Sequence, residues 1–125
     1  MPSLNSFEEL DCYKKCRQFR IAVSHEARKW PGDEKRRLVD QVLRSSRSTT
    51  ANIAEGFGRH HHQENLQFCR QARGSLHESL EHLITACDEG VITEATLAAF
   101  RTNFGDSLKL LNGYIAYLAK IAVKK

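Results

Sequence analysis

The chain has 125 residues, 41% of them hydrophobic and 27% charged, which gives one soluble globular domain and leaves no room for two ordinary ones. Its formal net charge of +4 and pI near 9.0 permit contact with nucleic acid or an anionic surface without requiring it. The opening MPSLNSFEELDCYKK lacks an apolar run behind a basic one, and no apolar stretch approaches the roughly 20 residues of a membrane span, so the sequence reads as cytoplasmic, with no membrane partner.

Ser6-Phe7-Glu8-Glu9 fits a capping box, a hydroxyl at the cap and a carboxylate three residues on. The spacing after it predicts a first helix over about 7–30, with Tyr13, Cys16, Phe19, Val23, Ala27 and Trp30 on one face. Pro31-Gly32-Asp33 ends that helix, because proline cannot donate the next hydrogen bond. Asp33 and Glu34 then stand where carboxylates favour a helix start. The second helix is predicted over about 34–57. Thr49 and Thr50 weaken its propensity, but the apolar face runs through them. Gly56-Phe57-Gly58 is expected to stop it, with glycine taking the left-handed cap conformation. A short loop holding His60, His61 and His62 leads to a third helix over about 63–89, striped by Leu66, Cys69, Ala72, Leu76, Leu80, Leu83 and Cys87. Thr93 caps a fourth over about 94–122, whose run from Leu97 through Phe100, Phe104, Leu108, Leu111, Ile115 and Leu118 is close to heptad spacing. Lys120, Lys124 and Lys125 suit its C-terminal end. No period-two run competes, so the expectation is an all-α, antiparallel up-down-up-down four-helix bundle.

The unusual stretch is RSSRSTTANIAEGFGR, from Arg44 to Arg59. Arg44, Ser48, Asn52, Glu55 and Arg59 recur at helical spacing and form a polar stripe beside the apolar face. Gln71, Ser75, Glu78 and His82 form a second stripe on the third helix. These stripes are expected to face each other or a neighbouring subunit. Asn52, Glu55, Ser75 and Glu78 should be hydrogen-bonded there, fixing register and assembly rather than running chemistry.

Site chemistry finds little support. No glutamate has a histidine three residues on, as a di-iron bundle needs. His77 and His82 are five apart, whereas a zinc-protease helix needs four. Consecutive side chains in the His60–His62 run cannot all face one ion, so no metal is assigned. Cys12, Cys16, Cys69 and Cys87 form no CxxC pair and read as reduced core residues. Gly56-Phe57-Gly58-Arg59 lacks the ending of a phosphate loop. A carboxylate pair of Glu55 and Glu78 is the one enzymatic alternative. Pairing of each with a nearby arginine or a polar neighbour is the preferred reading, so no catalytic residue or cofactor is assigned. Nucleic acid remains, with Arg17, Arg20, Arg28, Lys35, Arg36, Arg37, Arg70 and Arg73 as the candidate contacts.

NIAEGFGR at Asn52 to Arg59, preceded by Leu38, Gln41, Arg44 and Ser48 and followed by Ala72, Gly74-Ser75-Leu76 and Glu78, resembles the signature of the bacterial four-helix-bundle proteins encoded in intervening sequences of large-subunit ribosomal RNA genes. The resemblance implies a bundle that assembles into a ring, commonly a pentamer, with no enzymatic activity. It also implies kinship with the accessory proteins of diversity-generating retroelements, basic barrels that bind RNA or DNA and work with a reverse transcriptase. The signature positions here are Arg44, Ser48, Asn52, Glu55, Gly56, Arg59, Gly74, Ser75 and Glu78. The chain departs from the pattern at Thr50, often proline, and at Ser79-Leu80, usually Leu-Glu. A scaffold that self-associates without touching nucleic acid is the alternative.

Overall fold

The computed structural model describes residues 5–123; Lys124 and Lys125 lie outside them. Four long helices carry the fold: α1 (Asp11–Ala27), α2 (Arg36–Gly58), α3 (His62–Asp88) and α4 (Glu94–Val123). Short 3-10 turns at Phe7–Glu9 and Asp33–Lys35 lead into the first two. There is no strand among the described residues. Each helix packs on its neighbours in sequence, and α1 closes against α4, while the backbones of α1 and α3 do not approach closely. The result is the expected antiparallel four-helix bundle, with α1 and α3 on diagonal corners.

The capping box forms, but on a smaller element than its sequence suggested. Ser6 Oγ accepts from the Glu8 amide (3.1 Å), and Glu9 Oε1 accepts from the Ser6 amide (3.1 Å). Those bonds close the 3-10 turn; Leu10 then adopts an extended backbone and buries its side chain before α1 begins. At its other end α1 stops at Ala27, three residues short of Trp30. A residue before proline is pushed out of the helical region, and here that residue is Trp30. The indole still reaches the core, with its Nε1 donating to Glu26 (3.2 Å).

The end of α2 also differs from expectation. Both Gly56 and Gly58 are helical, and the left-handed residue is His60, at φ 53°. Gly56 is needed for closeness rather than for conformational freedom. A Cβ built there would lie 2.8 Å from Asn65 Oδ1 and 2.8 Å from Phe68 Cβ, both on α3. Thr93 caps α4 as expected, its hydroxyl accepting from the Thr96 amide (3.1 Å).

Phe19, Val23, Val42, Ile53, Leu76, Leu83, Leu111 and Leu118 are fully buried at the centre. Phe19 and Phe100 meet edge to face at 6.3 Å across α1 and α4. The two glycines near the α2 terminus separate packing from propensity. Gly56→Ala should lower stability by about 1–3 kcal/mol through overpacking, despite alanine's better helix propensity. Gly58→Ala meets nothing within 4 Å and should raise stability by about 0.5–1 kcal/mol. Thermal melts of the two variants read the contrast; equal shifts of the same sign would mean that α2 and α3 are not in close approach.

Candidate functional site

Along α2, Ser45, Ser46, Thr49 and Thr50 are buried where a bundle helix ordinarily places large apolar groups. Small side chains let helices approach, but their hydroxyls then need partners. Ser46, Thr49 and Thr50 donate to carbonyls one turn back, on Leu43 (3.1 Å), Ser45 (3.1 Å) and Arg47 (3.3 Å). Two contacts cross to α3: Ser45 Oγ lies 2.8 Å from Ser79 Oγ, and Ser48 Oγ lies 2.9 Å from Ser75 Oγ. Ser45 also reaches the Val42 carbonyl (3.2 Å), and Ser79 the Ser75 carbonyl (3.0 Å). The two hydroxyl protons of Ser45 and Ser79 thus serve three contacts, so the pair has alternative donor orientations. Asn52 Nδ2 completes the seam, donating to Ser48 O (2.9 Å) and Ser48 Oγ (3.0 Å).

The structure therefore brings together Ser48, Asn52 and Ser75 from the two expected stripes, inside one chain. The charged members go elsewhere. Glu55 pairs with Arg59 one turn on (2.9 Å), and Arg59 also approaches Glu64 (3.7 Å) while its guanidinium lies 5.0 Å from the Phe68 ring centroid. Arg59 thus clamps the α2–α3 corner beside Gly56. Glu78 meets His82 of its own helix (3.1 Å) and is exposed. Arg44 is exposed and has no ion pair among the described residues. Sequence reasoning passed over Ser45, Thr49 and Ser79. The spacing Val42, Ser45, Thr49, Ile53, Gly56 held the signal, since it runs along one buried face.

The pairing of Ser48 with Ser75 and of Ser45 with Ser79 fixes the antiparallel register. Glu78 is then level with about residue 45 of α2, roughly ten residues from Glu55. At about 1.5 Å per residue the two carboxylates are ~15 Å apart along the bundle, too far to share a reacting atom. The enzymatic alternative built on that pair is therefore not supported by the fold.

The histidine run has local duties. His61 caps α3, its Nδ1 accepting from the Glu64 amide (3.4 Å), while His62 opens the helix and His60 makes the left-handed turn. His77 approaches the Arg73 carbonyl (3.0 Å) and packs edge-on to Phe104 (5.1 Å). No group of three or more histidine, cysteine, aspartate or glutamate side chains is placed to hold a metal ion among the described residues.

The α3–α4 seam carries one buried polar contact. Buried Asn65 donates to the Tyr114 hydroxyl (2.9 Å) and accepts from the Cys69 thiol (3.4 Å). Burial pushes the Tyr114 hydroxyl up to about 12. Burial likewise pushes the Cys16 and Cys69 thiols up to about 12 and raises Cys12 further, with the neighbouring thiols adding to the rise at Cys12. These sulfurs stay protonated at neutral pH and are not nucleophiles.

The basic candidates are not equivalent. Arg17, Arg28, Arg36 and Arg37 are exposed on the α1–α2 side, with Arg28 bonded to Ser24 (3.1 Å) and Arg36 loosely paired with Asp33 (3.6 Å). Arg20 is half-buried and donates to Thr50 Oγ1 (2.9 Å). Lys35 is occupied by Glu89 (2.8 Å). On α3, Arg70 is exposed, and Arg73 donates to Asn112 of α4 (3.0 Å). Arg47 and His25, absent from the sequence-based set, line the groove between α1 and α2 together with Arg20.

These features define a helical-bundle protein with a hydroxyl seam and a basic side. The family model described as 23S rRNA-intervening sequence protein matches residues 8–113, and the chain belongs to that family. A solved structure from Bacteroides thetaiotaomicron, a protein of unknown function from the S23 ribosomal protein family, superposes with a TM-score of 0.76 at 20% identity, covering 83% of this chain and 97% of that one. At that identity the likeness shows the shared fold. No curated protein matches the chain.

Thiol chemistry tests the cysteine assignments. At pH 7.5 a thiol reagent such as DTNB should label half-exposed Cys87 and spare Cys12, Cys16 and Cys69, and denaturant should release all four. Because burial raises these pKa values above those of the unfolded chain, the stability they contribute is present at neutral pH. It is lost as pH climbs from about 9 toward 12, so unfolding midpoints should fall across that window. Fast native labelling of three or more thiols would contradict the buried cluster.

Proposed function

We propose that this chain is a non-catalytic, self-assembling bundle that binds RNA or DNA through the α1–α2 side. The observation that carries the reading is a segregation of charge. Residues 11–59 hold twelve lysines and arginines against six aspartates and glutamates, whereas residues 62–89 hold two against five. Since α1 and α3 occupy opposite corners, one side of the bundle attracts phosphate and the other repels it. Arg17, Arg28, Arg36 and Arg37 supply the exposed contacts; Lys35 and Arg73 serve inside the fold.

Self-assembly is favoured by features on the remaining sides. Leu110 (40% exposed) and Tyr117 (54% exposed), the large hydrophobics left open among the described residues, both lie on α4. Gly113 between them, like Gly105 and Gly74, is helical with nothing within 4 Å. A mid-helix glycine costs about 1 kcal/mol against alanine, and here no contact among the described residues accounts for it. The resemblance drawn from the signature motif supports a ring of five, which would carry five times the +4 of a single chain. By the same analogy a reverse transcriptase is a candidate partner.

Light scattering should find an oligomer, and Leu110→Glu with Tyr117→Glu should reduce it to monomer while leaving far-UV circular dichroism unchanged. A polynucleotide should bind at about 50 mM salt and release as salt rises, with a steep negative slope of log affinity against log salt. An oligomer that binds no polynucleotide at low salt would leave the pure scaffold in its place.

A further inference from the structure

The groove between α1 and α2 has a volume of about 210 Å³. Two arginines, Arg20 and Arg47, line it with His25 and the hydroxyl residues Ser24 and Ser46. Ile21 and Leu43 make its apolar wall, and among the described residues no carboxylate lines it. The acid nearest in sequence, Glu26, is engaged by the Trp30 indole (3.2 Å). We propose that this groove is a phosphodiester subsite, which seats one backbone phosphate of a bound polynucleotide between Arg20 and Arg47. The inference rests on the nucleic-acid reading above and assigns it a place.

The positioning is built into the fold. Arg20 Nη1 donates to Thr50 Oγ1 (2.9 Å), and that hydroxyl in turn donates to the Arg47 carbonyl (3.3 Å). One buried threonine therefore holds the Arg20 guanidinium against the very turn that carries Arg47. The remaining N–H groups of Arg20 have no hydrogen-bond partner among the described residues, and neither arginine has an ion pair among them. Two like charges on one groove without an acid repel each other, and no ion pair among the described residues offsets that repulsion. An oxyanion removes that repulsion, and the planar guanidinium fork matches phosphate geometry. The lining also limits what is read. No tryptophan, tyrosine or phenylalanine borders the groove, so no base platform of that kind accompanies the phosphate. Contacts to phosphate fix position without reading sequence, so this subsite should accept any base order.

The test uses the full-length protein and a fluorescent twelve-nucleotide oligouridylate, read by anisotropy across a salt series. Arg47→Ala and Ser24→Glu should each weaken binding about ten-fold at low salt, and Arg47→Ala should reduce the salt slope by about 0.7. Lys109→Ala removes the same charge from an exposed position on α4 and should change affinity less than two-fold. Thermal melts of each variant confirm folding, and replacing uridine by adenosine should leave the Arg47→Ala penalty unchanged. If the wild type binds the oligonucleotide but Arg47→Ala and Ser24→Glu lose no more than Lys109→Ala, the subsite is overturned and the broader basic-side reading survives. If the wild type binds no oligonucleotide, both fall. An NMR titration with inorganic phosphate that shifts the Ser24 and Arg47 amides in a protein without oligonucleotide affinity would overturn the polynucleotide assignment and leave a small-anion site.

Discussion

The constraint on which the structure depends is the close approach of α2 and α3. Helices striped with leucine keep roughly 8–10 Å between their axes. Here α2 presents Ser45, Thr49 and Gly56 instead, and at Gly56 a single added carbon would sit 2.8 Å from α3 atoms. Close approach gives dense packing but strands hydroxyl groups away from water. Each stranded hydroxyl must find a carbonyl or another hydroxyl: Ser46, Thr49 and Thr50 find theirs one turn back on α2, whereas Ser45 and Ser48 meet hydroxyls at fixed positions on α3. The seam therefore sets the register of the hairpin in a way that leucines, which slide past one another at little cost, would not.

From that register the rest follows. Arg59 pairs with Glu55 one turn back and, at the corner that Gly56 draws tight, also approaches Glu64 and the Phe68 ring on α3. Thr50, turned from the seam toward α1, is left to accept the Arg20 guanidinium (2.9 Å). The polar residues of the central stretch thus divide into an inner set that fixes one chain and an outer set, Arg44 and Arg47 among it, whose side chains have no hydrogen bond or ion pair among the described residues. Thr50 and Ser79 are places where the sequence departs from the pattern it resembles, and both make cross-helix hydrogen bonds here.

Much of the fold was legible before any coordinates. Heptad-like spacing in α4 and the Pro31-Gly32 break located the elements, because apolar periodicity and chain breakers are local signals. Less legible was anything set by what the helices meet. Gly56 reads as a stop signal until the partner helix shows that it is a contact, and His60 takes the left-handed turn that glycine was expected to take. The capping box at Ser6 was real, yet whether it opened a long helix or a single turn depended on Leu10 finding the core. The polar stripe was visible as a stripe, but its division between a buried seam and exposed ion pairs was not. Spacing locates a face of a helix, and only packing says which rows of that face are covered. Arg47 and His25 escaped for the same reason, since neither belongs to a motif and the groove that joins them is made by two helices.

Native-state hydrogen exchange tests the seam most directly. The account predicts that the slowest amides cluster where the hydroxyl ladder runs, from about Val42 to Ile53 in α2 and from about Ala72 to Leu83 in α3, and that they exchange only by global unfolding. If the α2–α3 centre instead opened at lower free energy than the α1–α4 pair, the hydroxyl seam would not be what holds the bundle in register.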